Sequence, residues 1–267
     1  MKKLLFSMIA ATCCAISFAW GQKGHDVTAN IAESHLTSAT RAALDSILEG
    51  KSIVYYANWL DNASHTPEYY YSKTWHYKNV DAGQTFDSAP VLQSGDILTA
   101  LDREVAILQN PKTDRKEAEL AVKMIVHLIG DMHQPMHLGH QSDRGGNNWK
   151  VKFFNSDANI HSVWDSRLPE SGHKWSYTEW TSQLDRTDAG DRKEIASGTF
   201  KDWAKESYDL CKEIYRTTPQ GSKISYDYIA KWTPVVESRF LKGGIRLADV
   251  LNSIFDTDYV PANNSVK

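Results

Sequence analysis

His127-Leu128-Ile129-Gly130-Asp131-Met132-His133-Gln134-Pro135-Met136-His137 is the stretch from which the rest of this chain can be read. Leading into it, Ala118, Ala121, Val122, Ile125, Leu128 and Ile129 recur at three- and four-residue steps, which predicts an amphipathic helix from Glu117 to His133. Thr113 and the charged residues after it suit a helix start, and Pro135 forces an end because its ring cannot continue the hydrogen-bond ladder. His127 and Asp131 stand four apart, so both project from one helix face and can grip one ion; His137 falls on the turn beyond.

The same helical period runs through Phe240, Gly244, Leu247, Ala248, Leu251, Ile254 and Phe255, and further helices are expected near 24–36, 38–49, 90–109, 176–186 and 192–216. Strand signals are few. Trp75-His76-Tyr77 reads as a short extended piece, and residues 148–154 before Asn155-Ser156-Asp157 read as half of a hairpin. The expected class is mainly α, a single helical domain with a short β-hairpin.

At 267 residues, 41% hydrophobic and 24% charged, the composition is that of a globular protein and excludes collagen-like, low-complexity and mainly disordered chains. The formal charge of −3, with no run of lysines or arginines, argues against a nucleic-acid binder that relies on basic side chains alone, although bound cations would reverse this locally. Lys2 and Lys3 precede an apolar run from Leu4 to Phe18, and Ser17-Phe18-Ala19 offers small residues before a cut. Residues 1–19 therefore read as a signal peptide and 20–267 as the exported, catalytic domain, secreted or periplasmic, with Trp20 as its first residue. Cys13 and Cys14 leave with the signal, so Cys211 is alone and no internal disulfide is expected.

His161-Ser162-Val163-Trp164-Asp165 repeats the four-residue His/Asp spacing. Two such pairs and His137 offer more ligands than one zinc needs. The chain has no His-Glu-x-x-His helix, no Gly-x-Ser-x-Gly elbow and no glycine loop for nucleotides, which removes the common metalloprotease, serine-hydrolase and P-loop or dinucleotide readings.

Taken together, Trp20-Gly21-Gln22-Lys23-Gly24-His25, Trp59-Leu60-Asp61, Trp75-His76-Tyr77, the 127–137 stretch, Gly145-Gly146-Asn147 and His161 to Asp165 resemble, in order, the S1/P1 nuclease family of zinc-dependent single-strand nucleases and 3′-nucleotidases. The resemblance implies the mainly helical fold shared with zinc phospholipase C, and three Zn²⁺ ions. One would be held by Asp61, His76, His127 and Asp131; a second by the free amine and carbonyl of Trp20, by His25 and by a bridging Asp131; a third by His137, His161 and Asp165. A backbone amine binds metal only when it is terminal, so cleavage before Trp20 would complete the centre.

The chemistry this resemblance implies is phosphodiester hydrolysis: a water shared by two zincs at Asp131 attacks phosphorus, and 5′-phosphorylated products leave. Substrates would be single-stranded DNA or RNA and 3′-nucleotides, with no membrane and no protein partner implied. The metals would supply the attraction for a polyanion that the acidic chain lacks. Asp81, five residues after His76, matches an acidic position near the reacting phosphate, and Asn147 is a candidate for orienting substrate. Tyr55, Tyr56, Tyr69, Tyr70, Tyr71 and Phe86 are all available to stack on a base. Ser64 stands where the family commonly has an arginine, removing one phosphate clamp. His35, His65, His133, His140 and His173 are expected to be structural or surface residues, with His133 the one placed to support a ligand. Two alternatives remain: a zinc phospholipase C, against which stand Asp165 in place of that group's glutamate and the short step from Trp20 to His25, and a noncatalytic exported zinc-binding protein.

Overall fold

The structure is a computed structural model that describes residues 20–266. The expected signal peptide lies outside the described residues. The chain runs α1 (Gln22–Ser34), α2 (Ser38–Ile47), α3 (Ile53–Tyr56), α4 (Trp59–Ala63), α5 (Ile97–Gln109), α6 (Arg115–Met132), strands β1 (Lys150–Phe153) and β2 (Ser156–Asn159), then α7 (Ile160–Ser162), α8 (Leu168–Gly172), α9 (Tyr177–Leu184), α10 (Ala189–Ala196), α11 (Phe200–Thr217), β3 (Lys223–Ile224) and α12 (Tyr226–Phe255). The mainly helical expectation holds. Among the described residues, no helix is long and apolar enough to cross a membrane.

The expected hairpin is present: β1 pairs antiparallel with β2, Val151 opposite Ala158, and Phe153–Ile224 adds β3 in parallel on the other edge. Trp75-His76-Tyr77 is not a strand; Trp75 and His76 lie in turns, and the backbone beyond is tied to single partners, with Lys78 N–H donating to His137 O. The helix expected over 90–109 starts at Ile97, because Gly95 sits at φ +88° and Asp96 caps the N–H groups of Leu98 and Thr99. The helix expected over 192–216 is two, divided at Gly198 (φ +99°) and restarted by the Thr199 cap. Conversely, α12 begins well before Phe240 and runs through Pro234. Tyr228, Trp232, Val236 and Phe240, one turn apart, bury a continuous stripe, and this outweighs the one backbone bond the proline removes.

Two apolar clusters flank α12. One joins α2, α5, α6 and the C-terminal half of α12; the other joins Trp20, part of α1, the small sheet, α9, α11 and the N-terminal half of α12. α1 lies tightly on α12 because Gly244 has no side chain: a Cβ there would meet Ile31 at 2.5 Å. Beneath α6, Glu206 joins Arg239, Lys242 and Arg246 at 2.7–3.1 Å, and Arg239 Nε donates to His133 O at 3.2 Å. This network fixes the turn that leaves α6, and hence the path from Asp131 to His137.

Candidate metal centre

α6 carries His127 and Asp131 on one face, as the spacing requires, and is capped at its start by Asp114 with Glu117 reciprocating, one residue later than the Thr113 start the sequence suggested. Pro135 opens a single turn, Pro135–Leu138, that turns His137 back toward Asp131. His161 and Asp165 straddle α7 and a wide turn over Val163–Arg167 in which Leu168 N–H reaches back to Val163 O. His25 comes from α1, Asp61 from α4 and His76 from the loop before α5.

These side chains form three groups whose ligand atoms lie within 4.8 Å of one another: His25, His127 and Asp131; Asp61, His76 and His127; His137, His161 and Asp165. Asp131 joins the first two. Its Oδ1 lies 3.3 Å from His25 Nε2, while Oδ2 lies 2.9 Å from His76 Nδ1 and 3.1 Å from His127 Nε2. In the third group His161 Nε2 is 3.1 Å from Asp165 Oδ2, and His137 Nε2 is 3.9 Å from Asp165 Oδ1. All eight expected ligand side chains are thus brought together. Trp20 is wholly buried beside Phe240, and Gly21 N–H donates to Asp165 O at 2.8 Å, which brings the backbone next to Trp20 against the third group.

Backbone carbonyls orient the rings. His127 Nδ1–H donates to Ala57 O at 2.8 Å, His137 Nδ1–H to His76 O at 2.6 Å and His161 Nδ1–H to Gly145 O at 2.6 Å, so each presents Nε2, with its lone pair, to the carboxylates. Several buried atoms of the cluster have no hydrogen-bond partner: both ring nitrogens of His25, of which Nε2 faces Asp131 and Nδ1 faces Gly130, Nε2 of His76 and of His137, and Oδ1 of Asp131. Leaving buried polar atoms unpaired costs roughly 1–3 kcal/mol each. Nitrogen and carboxylate-oxygen donors converging in this way fit a divalent, borderline-soft cation such as zinc.

The electrostatics fit as well. Burial opposes charge on His127, but the Asp131 and Asp61 carboxylates outweigh it and raise its pKa well above the usual value. Burial likewise opposes charge on Asp131, yet His127 and His137 hold its pKa well below the carboxylate range. Burial, with smaller pushes from His161 and His76, drives His137 down to about 3 against the pull of Asp131, and burial lifts Asp165 to about 6 against the pull of His161. A bound cation would keep the carboxylates ionised and the imidazoles neutral.

Other expected residues fall outside the cluster. Asp81 Oδ1 accepts from Ser142 N–H at 2.9 Å and Ser142 Oγ–H at 2.8 Å in an exposed loop, and these bonds lower its pKa. Asn147 Nδ2 donates to Arg144 O within its own turn. Ser64 is buried and brings no cation, and Phe86 packs in the core. His133 supports no ligand side chain: Nδ1–H donates to Ile129 O, and Nε2 receives Arg246 Nη1 at 3.0 Å. The supporting residue is its neighbour Gln134, whose Nε2 donates to Asp165 Oδ1 while Oε1 accepts from Met136 N–H. His65 Nδ1–H donates to Asp61 O at 2.8 Å, a local bond across four residues. Cys211 is buried 3.9 Å from Met136 Sδ, and burial raises its thiol well above the usual range. A cleft between α1 and α2, lined by Glu33, Arg41, Asp45 and Lys51, holds none of the His/Asp cluster.

The S1/P1 Nuclease family model matches residues 20–256. Nuclease S1 of Aspergillus oryzae is 29% identical over 95% of this chain and 98% of its own length, and nuclease P1 of Penicillium citrinum 25% identical over 90% and 99%. Endonuclease 4 of Arabidopsis thaliana is 27% identical over 89% and 90%. Among solved structures, an alpha toxin from Clostridium absonum superposes with a TM-score of 0.46 at 18% identity, over 90% of this chain and 65% of the toxin. With the family match spanning nearly all the described residues, the chain belongs to the S1/P1 nuclease family.

Proposed function

We propose that this protein is an exported, zinc-dependent phosphodiesterase that cleaves single-stranded DNA and RNA to 5′-phosphorylated products and also acts on 3′-nucleotides. The observation that carries the reading is the wholly buried Asp131 carboxylate, one oxygen toward His25 and the other toward His76 and His127, among buried atoms that lack hydrogen-bond partners. We assign three zinc ions, one to Asp61, His76, His127 and Asp131, another to Trp20, His25 and Asp131 and the third to His137, His161 and Asp165; the three His/Asp groups whose ligand atoms lie within 4.8 Å of one another support that count. Gly21 N–H on Asp165 O holds the backbone beside Trp20 against the cluster, which supports an amine there after cleavage of residues 1–19. Divalent cations held in this way acidify water toward a nucleophile at neutral pH and offset charge that develops on a phosphoryl oxygen.

The protein's own residues set the geometry. Ala57, His76 and Gly145 carbonyls lock ring orientation, and Gln134 holds the Asp165 carboxylate. Asp81, kept ionised by Ser142, follows Val80, whose N–H donates to Gly139 O two residues beyond His137; it supplies a proton acceptor at the rim. Asn147, whose carbonyl accepts from Lys150 Nζ, is the remaining candidate for orienting substrate. The zinc-loaded chain starting at Trp20 is to be assayed on single- and double-stranded DNA, on RNA and on phosphatidylcholine, with and without chelator. Chelator-sensitive cleavage of single strands leaving 5′-phosphates is expected; hydrolysis of lipid alone, or of nothing, refutes the nuclease reading.

A further inference from the structure

Between residues 55 and 71 the chain places several aromatic rings at its surface, backed by the buried Trp75. Tyr55 and Tyr56 meet edge to face at 4.9 Å, Trp59 and Tyr69 at 4.9 Å, and Tyr71 and Trp75 at 5.2 Å, with Tyr69 and Tyr71 6.5 Å apart. Cations link the pairs. Lys123 Nζ sits 4.1 Å from the Tyr56 centroid and 5.3 Å from that of Trp59, and the Arg103 guanidinium sits 5.0 Å from Trp75 and 5.9 Å from Tyr71. Lys51 lies 5.1 Å from Tyr55 and Lys73 5.0 Å from Tyr70. Trp75 belongs to the core and Tyr56, Trp59 and Tyr69 pack partly against it, but Tyr55 is 67% exposed, Tyr70 59% and Tyr71 43%.

This surface runs into the metal centre. Trp59 precedes Asp61 by two residues on α4, Trp75 adjoins His76, and Lys123 stands one turn before His127 on α6. Asp61, His76 and His161 are the most exposed side chains of the cluster, whereas His25, His127 and Asp131 are fully enclosed. Of the two accessible edges, one at Asp61 and His76 and one at His161, the first is the one next to the aromatic residues along the chain.

We infer that the Tyr55–Trp75 surface is a binding track for unpaired nucleotides lying beyond the scissile phosphate. The inference rests on the nuclease reading for its substrate class. The faces of Tyr55, Tyr70 and Tyr71 turned away from Lys51, Lys73 and Arg103 can stack on bases of any identity, and Lys51 and Lys73 beside them can pair with phosphates, whereas Lys123 and Arg103 already pair with Glu119 and Glu104; a duplex, whose bases already stack on each other, cannot use the rings. The track thus favours long single strands over mononucleotides and duplexes.

The test compares the wild type with Tyr55→Ala, Tyr70→Ala and Tyr71→Ala, singly and combined, in the zinc-loaded chain. One readout is equilibrium binding of a fluorescent, cleavage-resistant phosphorothioate oligothymidine of about twelve nucleotides; the other is KM and kcat on the cleavable strand and on a dinucleotide. Each ring removed is expected to weaken binding by about tenfold and to raise KM for the long strand with kcat unchanged, while dinucleotide kinetics stay as in the wild type. Tyr71→Trp should restore the long-strand KM. Unaltered binding of the long strand in the triple variant overturns the track, as does equal weakening on long and short substrates. Failure of the wild type to cleave any strand refutes the nuclease reading instead, and the binding readout still decides the track.

Discussion

Gly130 offers a test in which two physical effects predict opposite signs. It lies inside α6 with an ordinary helical backbone, so Gly130→Ala should stabilise the helix by about 1 kcal/mol through backbone entropy alone. A Cβ there would, however, stand 2.6 Å from His25 Nδ1 and 3.0 Å from Cε1, about 0.8 Å inside ordinary contact at 3.4 Å. The His25 ring cannot step aside, because it also stacks on His127 at 4.0 Å with 15° between planes. Overpacking of this kind costs about 1–3 kcal/mol, so the variant should be net destabilised by about 1 kcal/mol. Any relief moves His25 off Asp131 and weakens the cation they would share. Urea unfolding of the metal-stripped protein measures the first effect without interference from metal loss, and zinc counting on the reloaded protein measures the second. A variant more stable than wild type by the helix gain, and still binding its full zinc, refutes the packing argument.

Three further outcomes are expected from the same structure. Burial pushes Glu104 up to about 7, only partly offset by Arg103 at 3.6 Å, so between the unfolded value near 4.5 and pH 7 the folded protein keeps a proton the unfolded chain has released. Stability should fall as pH rises through that window, and Glu104→Gln should flatten the fall and gain up to roughly 3 kcal/mol at pH 8, read by denaturation at several pH values. Burial opposes the Glu206 charge, but Arg246, Arg239 and Lys242 hold its pKa far below the usual value, so the network stabilises above about pH 4.5 and is lost as pH falls; Glu206→Gln should lower Tm at pH 7 and blunt acid unfolding. Gln134→Leu strips Asp165 Oδ1 and Met136 N–H of their partner, and should cost roughly 2 kcal/mol and weaken one zinc equivalent at least tenfold in a competitive chelator titration.

Part of the candidate ligand set, His127, Asp131, His137, His161 and Asp165, was legible because its spacing is local in sequence, whereas Trp20, His25, Asp61 and His76 came only from the resemblance to the family. His127 and Asp131 share a helix face by arithmetic, and Pro135 must end that helix, which puts His137 on a turn. Gly95-Asp96 and Gly198-Thr199 were also readable as boundaries, since each joins a left-handed glycine to a capping side chain, but the apolar period across them masked the break. The passage of α12 through Pro234 was not readable, because it depends on burial of Trp232 and Val236 against distant elements. Nor was the exchange of roles between His133 and Gln134. Both follow Asp131, and which one reaches Asp165 depends on Arg239 and Arg246 arriving from α12 to hold the His133 carbonyl and ring. The aromatic surface shows the same limit: composition marks the tyrosines, while the interleaved cations come from α5 and α6.

The central claim is that the buried His/Asp cluster is a zinc centre on which nucleic-acid cleavage depends. It is tested most directly by stripping the chain that starts at Trp20, titrating zinc back, and measuring bound metal and cleavage of single-stranded DNA in the same samples. A zinc centre of this kind predicts no cleavage in the stripped protein, saturation at three zincs per chain, and cleavage returning as the sites fill. Cleavage that survives stripping, or zinc that binds fully without restoring any, would contradict it.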